Sequence, residues 1–142
     1  MLINLTNHPS SRWSDNQKAS AEVYGEIVDM PFPVIDEAGD EKYIATLADE
    51  YLNKIVNLSD TQSVVVHLMG EQTFSYALIK RLRERGITCV ASTTKRIVKE
   101  EVAGKKSEVI FQFERFFNEK QKNSSFIFSR IHQNIRNIHF QL

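Results

Sequence analysis

One imidazole, one carboxylate, two adjacent cations and six hydroxyls stand in short polar stretches, each following an apolar, β-forming run. They are His8, Glu71, Lys95 and Arg96, with Ser10, Ser11, Thr73, Ser92, Thr93 and Thr94. Trp13 and Phe32 add aromatic surface beside them. Cations, hydroxyls and a side chain suited to proton transfer near neutral pH match a phosphodiester or nucleotide better than an apolar ligand. Gly70-Glu71-Gln72-Thr73 opens a helix, whose first N–H groups have no partner inside the helix and attract phosphate.

Motifs that would assign other chemistry are absent. No G-x-G-x-x-G follows the first strand, so a conventional dinucleotide site is not expected. No G-x-x-x-x-G-K-[ST] is present, which excludes a P-loop ATPase, and the hydroxyl-rich phosphate loop of flavodoxins is missing after the first strand. Neither H-E-x-x-H nor a Cys/His cluster occurs, and no G-x-S-x-G elbow precedes a helix. The expectation is a protein with no metal and no cofactor.

The elements that must position these residues read clearly for the first two thirds of the chain. Leu2 to Thr6 predicts a strand, with a polar loop from Asn7 to Trp13. Ser14 followed by Gln17 fits a capping box, and Gly25 ends the helix it starts. Glu26 to Met30 predicts a second strand, stopped by Pro31-Phe32-Pro33. Ile44, Leu47, Ala48, Tyr51, Leu52 and Ile55 form one apolar helical stripe. Ser63 to Met69 is apolar without alternation, as in a central parallel strand covered on both faces. A helix then carries Phe74, Ala77, Leu78 and Leu82 inward, with Gly86 closing it. The fourth strand is Ile87 to Ala91, ending in a polar loop from Ser92 to Arg96. Beyond it a β-hairpin is expected, with a turn at Ala103 to Lys106 and a strand from Glu108 to Phe116; a short helix from Ile97 to Val102 is the alternative.

This order gives β-α-β-α-β-α-β. The fold class expected is α/β: a Rossmann-like three-layer sandwich with a mostly parallel sheet and a C-terminal β-hairpin. In such sheets ligands bind beyond the carboxyl ends of the strands, where the strand order switches. Four loops meet that edge: Asn7 to Trp13, Pro31 to Asp36, Gly70 to Thr73 and Ser92 to Arg96. The division expected is one domain over 1–117 and a C-terminal segment, 118–142, without usable periodicity. A helix around Ser129 to Ile138, a tail and a partner-binding arm all stay open for it.

At 142 residues and 42% hydrophobic, the chain is long and apolar enough to bury one core. The longest apolar runs are too short to span a membrane, and Cys89 has no second cysteine to pair with. A cytoplasmic location and no membrane partner are therefore expected. Zero net charge hides an asymmetry. Residues 1–60 hold 4 basic against 11 acidic residues, and residues 80–106 hold 9 basic against 3 acidic. Such polarity marks an anionic ligand, a self-complementary dimer or simply charged helix surfaces.

Competing structural roles stand beside the chemical ones. His8 before Pro9 could only close its loop, and Glu71 could be a dipole-favoured first-turn residue. Lys95 and Arg96 could be solvated charges. His67 inside a buried strand reads as a satisfied core histidine, Trp13 as core and Cys89 as inert packing. Phe111, Phe113 and Phe116 read as a buried strand face or a dimer surface.

The segments Asn4-Leu5-Thr6-Asn7-His8-Pro9-Ser10 with Trp13 and Gln17, Met69-Gly70-Glu71-Gln72-Thr73-Phe74, Ala91-Ser92-Thr93-Thr94-Lys95-Arg96 and Gly104-Lys105-Lys106 resemble a small family of CRISPR-associated accessory proteins. These accompany type III systems and are similar to CARF (CRISPR-associated Rossmann fold) domains. The resemblance covers roughly residues 1–117. It implies a homodimer that binds cyclic oligoadenylate across its two-fold axis, and no double-stranded nucleic acid. Some such proteins only sense or sequester the ring; ring nucleases cleave it without metal, the ribose 2′-hydroxyl attacking the adjacent phosphorus to leave a 2′,3′-cyclic phosphate. Under that resemblance His8, with Glu71 as second choice, moves the proton, and Lys95 or Arg96 stabilises charge. Asn7, Ser10, Ser11, Trp13, Gly70, Gln72, Thr73, Ser92, Thr93 and Thr94 hold the ligand. An unrelated small-nucleotide enzyme on the same architecture is a third possibility. The arrangement requires His8, Thr73 and Thr93 to face one common hollow.

Overall fold

In a computed structural model, which describes residues 1–58, 63–99 and 108–118, the first apolar run forms strand β1 (Leu2–Thr6). A 3-10 turn at Ser10–Arg12 leads into helix α1 (Asp15–Glu22). Ser14 caps α1, its side chain accepting the Gln17 N–H at 3.2 Å. The chain turns back through Gly25 at φ 93°, a conformation strained for any residue with a side chain. Strand β2 (Ile27–Asp29), helix α2 (Glu41–Leu58), strand β3 (Val65–Met69) and helix α3 (Gln72–Glu84) follow. A long strand β4 (Thr88–Lys99) and strand β5 (Glu108–Phe117) complete the order.

The five strands form one sheet in the order β2-β1-β3-β4-β5, with β2, β1, β3 and β4 parallel and β5 antiparallel to β4. The fold is thus the expected α/β sandwich with a mostly parallel sheet and a C-terminal strand pair. The order switches at β1, whose following connection leads to β2 on one side while β3 lies on the other. Every residue of β1 is buried, as a central strand covered on both faces requires. On one face Ile3, Leu5, Val66 and Leu68 pack with Tyr51, Leu52 and Ile55 of α2 and with Phe74, Leu78 and Leu82 of α3. On the other, Leu2 and Val90 pack with Trp13 and with Ala21 of α1. Among the described residues no helix is long and apolar enough to cross a membrane.

The polar stretch after Ala91 corrects the sequence expectation. It is not a loop: β4 runs unbroken through Ser92 to Lys99. Only Thr88 to Val90 pair with β3; Ser92 still lies beside Met69 at the end of β3, and the strand then projects past the carboxyl edge of the parallel sheet. There β5 supplies the partner, pairing Ser92 with Phe116, Lys95 with Gln112 and Arg96 with Phe111. Thr93, Thr94, Ile97 and Val98 are β-branched and favour that extended state. A register shift between Thr93 and Thr94 kinks the ribbon. Strand β5 accords with the expected hairpin. The turn expected at Ala103 to Lys106 and the segment from 119 onward lie outside the described residues.

Phe74 at the start of α3 is fully buried between edge-on contacts to Phe32 and Tyr51, both at 5.3 Å between ring centroids. A Cβ on Gly70 would run into the Phe32 ring, which explains glycine there. Phe74→Ala removes the ring that joins β3, α2 and α3. It is expected to cost about 3–5 kcal/mol, read as a lowered midpoint in urea unfolding.

Candidate functional site

Three neighbouring strands each place one polar side chain on the same ladder row. Asn4 of β1 lies opposite both Asp29 of β2 and His67 of β3. All three therefore share a sheet face, the one covered by α1 and Trp13. Asn4 is 1% exposed and His67 2%, so their polar atoms must be satisfied within the protein. They are. The Asn4 amide nitrogen donates to Asp29 Oδ1 at 2.7 Å and to the His8 carbonyl at 2.9 Å. Its oxygen lies 3.2 Å from His67 Nδ1 and accepts the Thr6 hydroxyl at 3.0 Å. His67 Nε2 lies 3.2 Å from Ser92 Oγ on β4. One hydrogen-bonded line crosses four strands, from Asp29 through Asn4 and His67 to Ser92.

The line fixes the protonation of its members. Both partners of the Asn4 nitrogen are pure acceptors, a carboxylate and a carbonyl, so the amide has one orientation. Its oxygen then needs a donor, so His67 carries its proton on Nδ1 and offers a lone pair at Nε2. Burial pushes the His67 pKa down to about 4, so the ring is neutral over the physiological range. Trp13 and Phe116 pack edge-on against it, with centroids at 5.6 and 5.0 Å. At the far end burial acts to raise the Asp29 pKa. The bonds from the Asn4 amide and from the Ser10 backbone and hydroxyl outweigh it and hold the carboxyl below its usual value.

A cleft of about 520 Å³ opens above this line, at the carboxyl ends of β1, β3 and β4. That volume lies within the range of small-molecule sites. Asn7, His8 and Arg12 form one side, and Met69 and Gly70 the floor beyond β3. Ser92, Thr94, Phe111 and Phe113 come from the β4–β5 ribbon. Phe111 is 64% exposed, leaving an open aromatic face at the cleft.

Of the residues singled out from sequence, Asn7, His8, Trp13, Gly70, Ser92 and Thr94 line this cleft. His8 presents an exposed side chain, while its carbonyl accepts from the Asn4 amide and the Trp13 indole. Trp13 is 6% exposed, so it is core with only an edge toward the cleft. Ser10 is held by Asp29, and Ser11 is exposed in the 3-10 turn outside the cleft.

The other candidates lie elsewhere. Glu71 is the N-cap of α3: its carboxylate accepts the Phe74 N–H at 2.8 Å, the Thr73 N–H at 3.0 Å and the Thr73 hydroxyl at 2.8 Å. Those bonds, that from Phe74 first, hold its pKa below the usual value. Its first-turn structural role is the one observed. The helix terminus expected to attract phosphate already carries its own carboxylate there. Gln72 and Thr73 line a separate groove, with Gly39, Ile44 and Tyr76 between α2 and α3. The Thr93 hydroxyl donates to the Arg115 carbonyl at 3.3 Å. Lys95 and Arg96 are exposed on β4 and do not line the cleft. His8, Thr73 and Thr93 therefore share no common hollow, and the cradle built on all three is withdrawn.

His67 is the satisfied core histidine expected, yet it also reaches the cleft. Asn4 and Asp29 were missed as site residues. Their signal was present: a polar residue stands inside each of three apolar strand runs. Arg12, Gln17, Phe111 and Phe113 join the cleft only through folding. Burial pushes the Cys89 thiol up to about 11, which keeps it protonated at neutral pH. Among the described residues no group of three or more His, Cys, Asp or Glu could hold a metal ion.

A histidine whose folded pKa lies below its unfolded value takes up a proton first in the unfolded chain. The fold is therefore expected to lose stability as pH falls from about 6.5 towards 4, by about 3 kcal/mol from His67. Urea unfolding at pH 7.5, 5.5 and 4.5 measures this, and the slope attributable to His67 disappears in His67→Gln.

No curated protein and no solved structure matches the chain. A family model does match, over residues 1–117 and so through the end of β5, and the chain belongs to the Uncharacterized protein MJ1673 family.

Proposed function

We propose that this protein binds cyclic oligoadenylate in the cleft at the β1 switch and cleaves it as a metal-independent ring nuclease. The reading rests on a resemblance in sequence; the hollow expected to join His8, Thr73 and Thr93 is not formed, and the residues that share the cleft are what supports it. The observation that carries it is the combination there of Arg12, Phe111 and hydrogen-bonding side chains at the carboxyl edge. An exposed aromatic face stacks bases, and an arginine pairs with phosphate. Arg12 takes the charge-stabilising role in place of Lys95 and Arg96, and Glu71 leaves the mechanism as a helix cap.

Cleavage follows from in-line attack of a ribose 2′-hydroxyl on the adjacent phosphorus, with the O5′ leaving group expelled. The protein's task is to hold sugar and phosphate in line and to move protons. His8, exposed on the rim, is the proton-transfer group. Asn7 and Thr94 position phosphate. A cyclic ring of repeating nucleotides suits a two-fold dimer, in which each protomer meets half of the ring with the same cleft. The exposed β4–β5 ribbon supports this arrangement, since it stands clear of the parallel sheet at the cleft's mouth.

Incubation with cyclic tetra- and hexa-adenylate in EDTA is expected to give linear products ending in a 2′,3′-cyclic phosphate. His8→Ala is expected to lower the rate about 100-fold. Arg12→Ala is expected to weaken binding about tenfold, read by calorimetry. Binding without products selects a sensor or sponge, and failure to bind either ring removes the reading altogether.

A further inference from the structure

We propose that Ser92 is a base-activated hydroxyl: His67 Nε2 draws its proton, with His67 held in the right tautomer by Asn4. The serine lies on β4 at the cleft wall, 3.2 Å from Nε2, and Nδ1 lies 3.2 Å from the Asn4 oxygen. This is the order of groups that activates a nucleophile: hydroxyl, base, and a third group that orients the base. Here the line continues through the Asn4 amide to Asp29, which fixes that amide's orientation. Ser92 Oγ also lies 2.9 Å from the Met69 sulfur. A thioether is a weak acceptor and a bare imidazole nitrogen a strong one, so the hydroxyl proton goes to Nε2. Trp13 and Phe116 flank the imidazole edge-on and hold the ring in place.

The part this pair plays in ring cleavage rests on the ring-nuclease reading. The 2′-hydroxyl passes its proton to Ser92 Oγ as Ser92 passes its own to His67 Nε2. The O2′–P bond forms, the P–O5′ bond breaks, and O5′ takes a proton from His8. His67 then returns its proton through Ser92 to water, and His8 regains one from water. Acid and base are thus two different histidines on opposite sides of one cleft. Ser92 touches substrate and is the catalytic residue; His67 and Asn4 act through it and position it.

A fluorophosphonate probe tests the activation without any nucleotide. Wild-type protein is expected to be labelled at Ser92. Ser92→Ala should abolish the labelling, and His67→Gln should slow it at least tenfold with unchanged circular dichroism. No label on Ser92, or equal labelling of His67→Gln, overturns the proposal. Should His67→Gln not fold, Ser92→Cys replaces it. Iodoacetamide is then expected to alkylate the introduced thiol at pH 6.5 at least tenfold faster than a cysteine in a short peptide, and an equal or slower rate overturns the proposal. With cyclic tetra-adenylate, Ser92→Ala is expected to lower kcat about 100-fold at unchanged KM. Labelling of Ser92 in a protein that binds neither ring would sink the ring-nuclease reading and leave the activated serine standing.

Discussion

The side-chain amide of Asn4 is the interaction on which the site depends. It sits buried on the central strand, on the face packed against Trp13 and α1, and uses both its nitrogen and its oxygen. Toward β2 it holds Asp29, and toward β3 it holds His67. Upward it holds the His8 carbonyl and so ties down the loop that follows β1. An apolar residue at this position would leave the buried His67 Nδ1–H without its acceptor, at the cost of an unsatisfied polar group, while the exposed Asp29 carboxylate would keep only its bonds from Ser10. A half-satisfied network is less stable than an apolar core, which is why the whole row is polar or none of it can be.

Two other features shape the cleft. Glu71 folds its carboxylate onto the first N–H groups of α3 and neutralises the terminus that the open sheet would offer to an anion. The carboxyl edge is thereby divided. On the α2–α3 side the Thr73 and Phe74 N–H groups are taken by Glu71, and on the opposite side the cleft opens over Asn4 and His67. The β4–β5 ribbon then walls that open side. It parts from β3 after Val90, while β3 itself runs on to Met69, and it remains a strand because β5 satisfies its backbone beyond that point. Ser92 and Thr94 are thus delivered by regular structure and not by a loop, which holds their geometry more tightly.

Much of the fold was legible in local pattern. The stripe from Ile44 to Ile55 is a helix because those residues recur at helical spacing. Val64 to Leu68 is a buried strand because it is apolar without alternation. Ser14 and Gly25 bound α1 through chemistry that needs no distant partner. The site was legible only in part. His8, Ser92 and Thr94 were visible as polar residues after strands, and the structure brings them together. Thr73, Thr93, Lys95 and Arg96 carried the same signal and are dispersed. Residue type after a strand does not reveal which way a side chain faces once the strand continues, or whether a helix cap has already claimed it.

The sequence by itself determined which segments are helices and strands, and therefore a parallel sheet with its ligand edge at the carboxyl ends. These properties follow from short-range periodicity and from right-handed connections. Tertiary structure alone decided that Asp29, Asn4 and His67 share a ladder row, and that Ser92 reaches the last of them. Strand register sets those contacts, through hydrogen bonds between segments as much as 63 residues apart. A shift of one residue in any strand would turn its polar side chain to the opposite face and break the line.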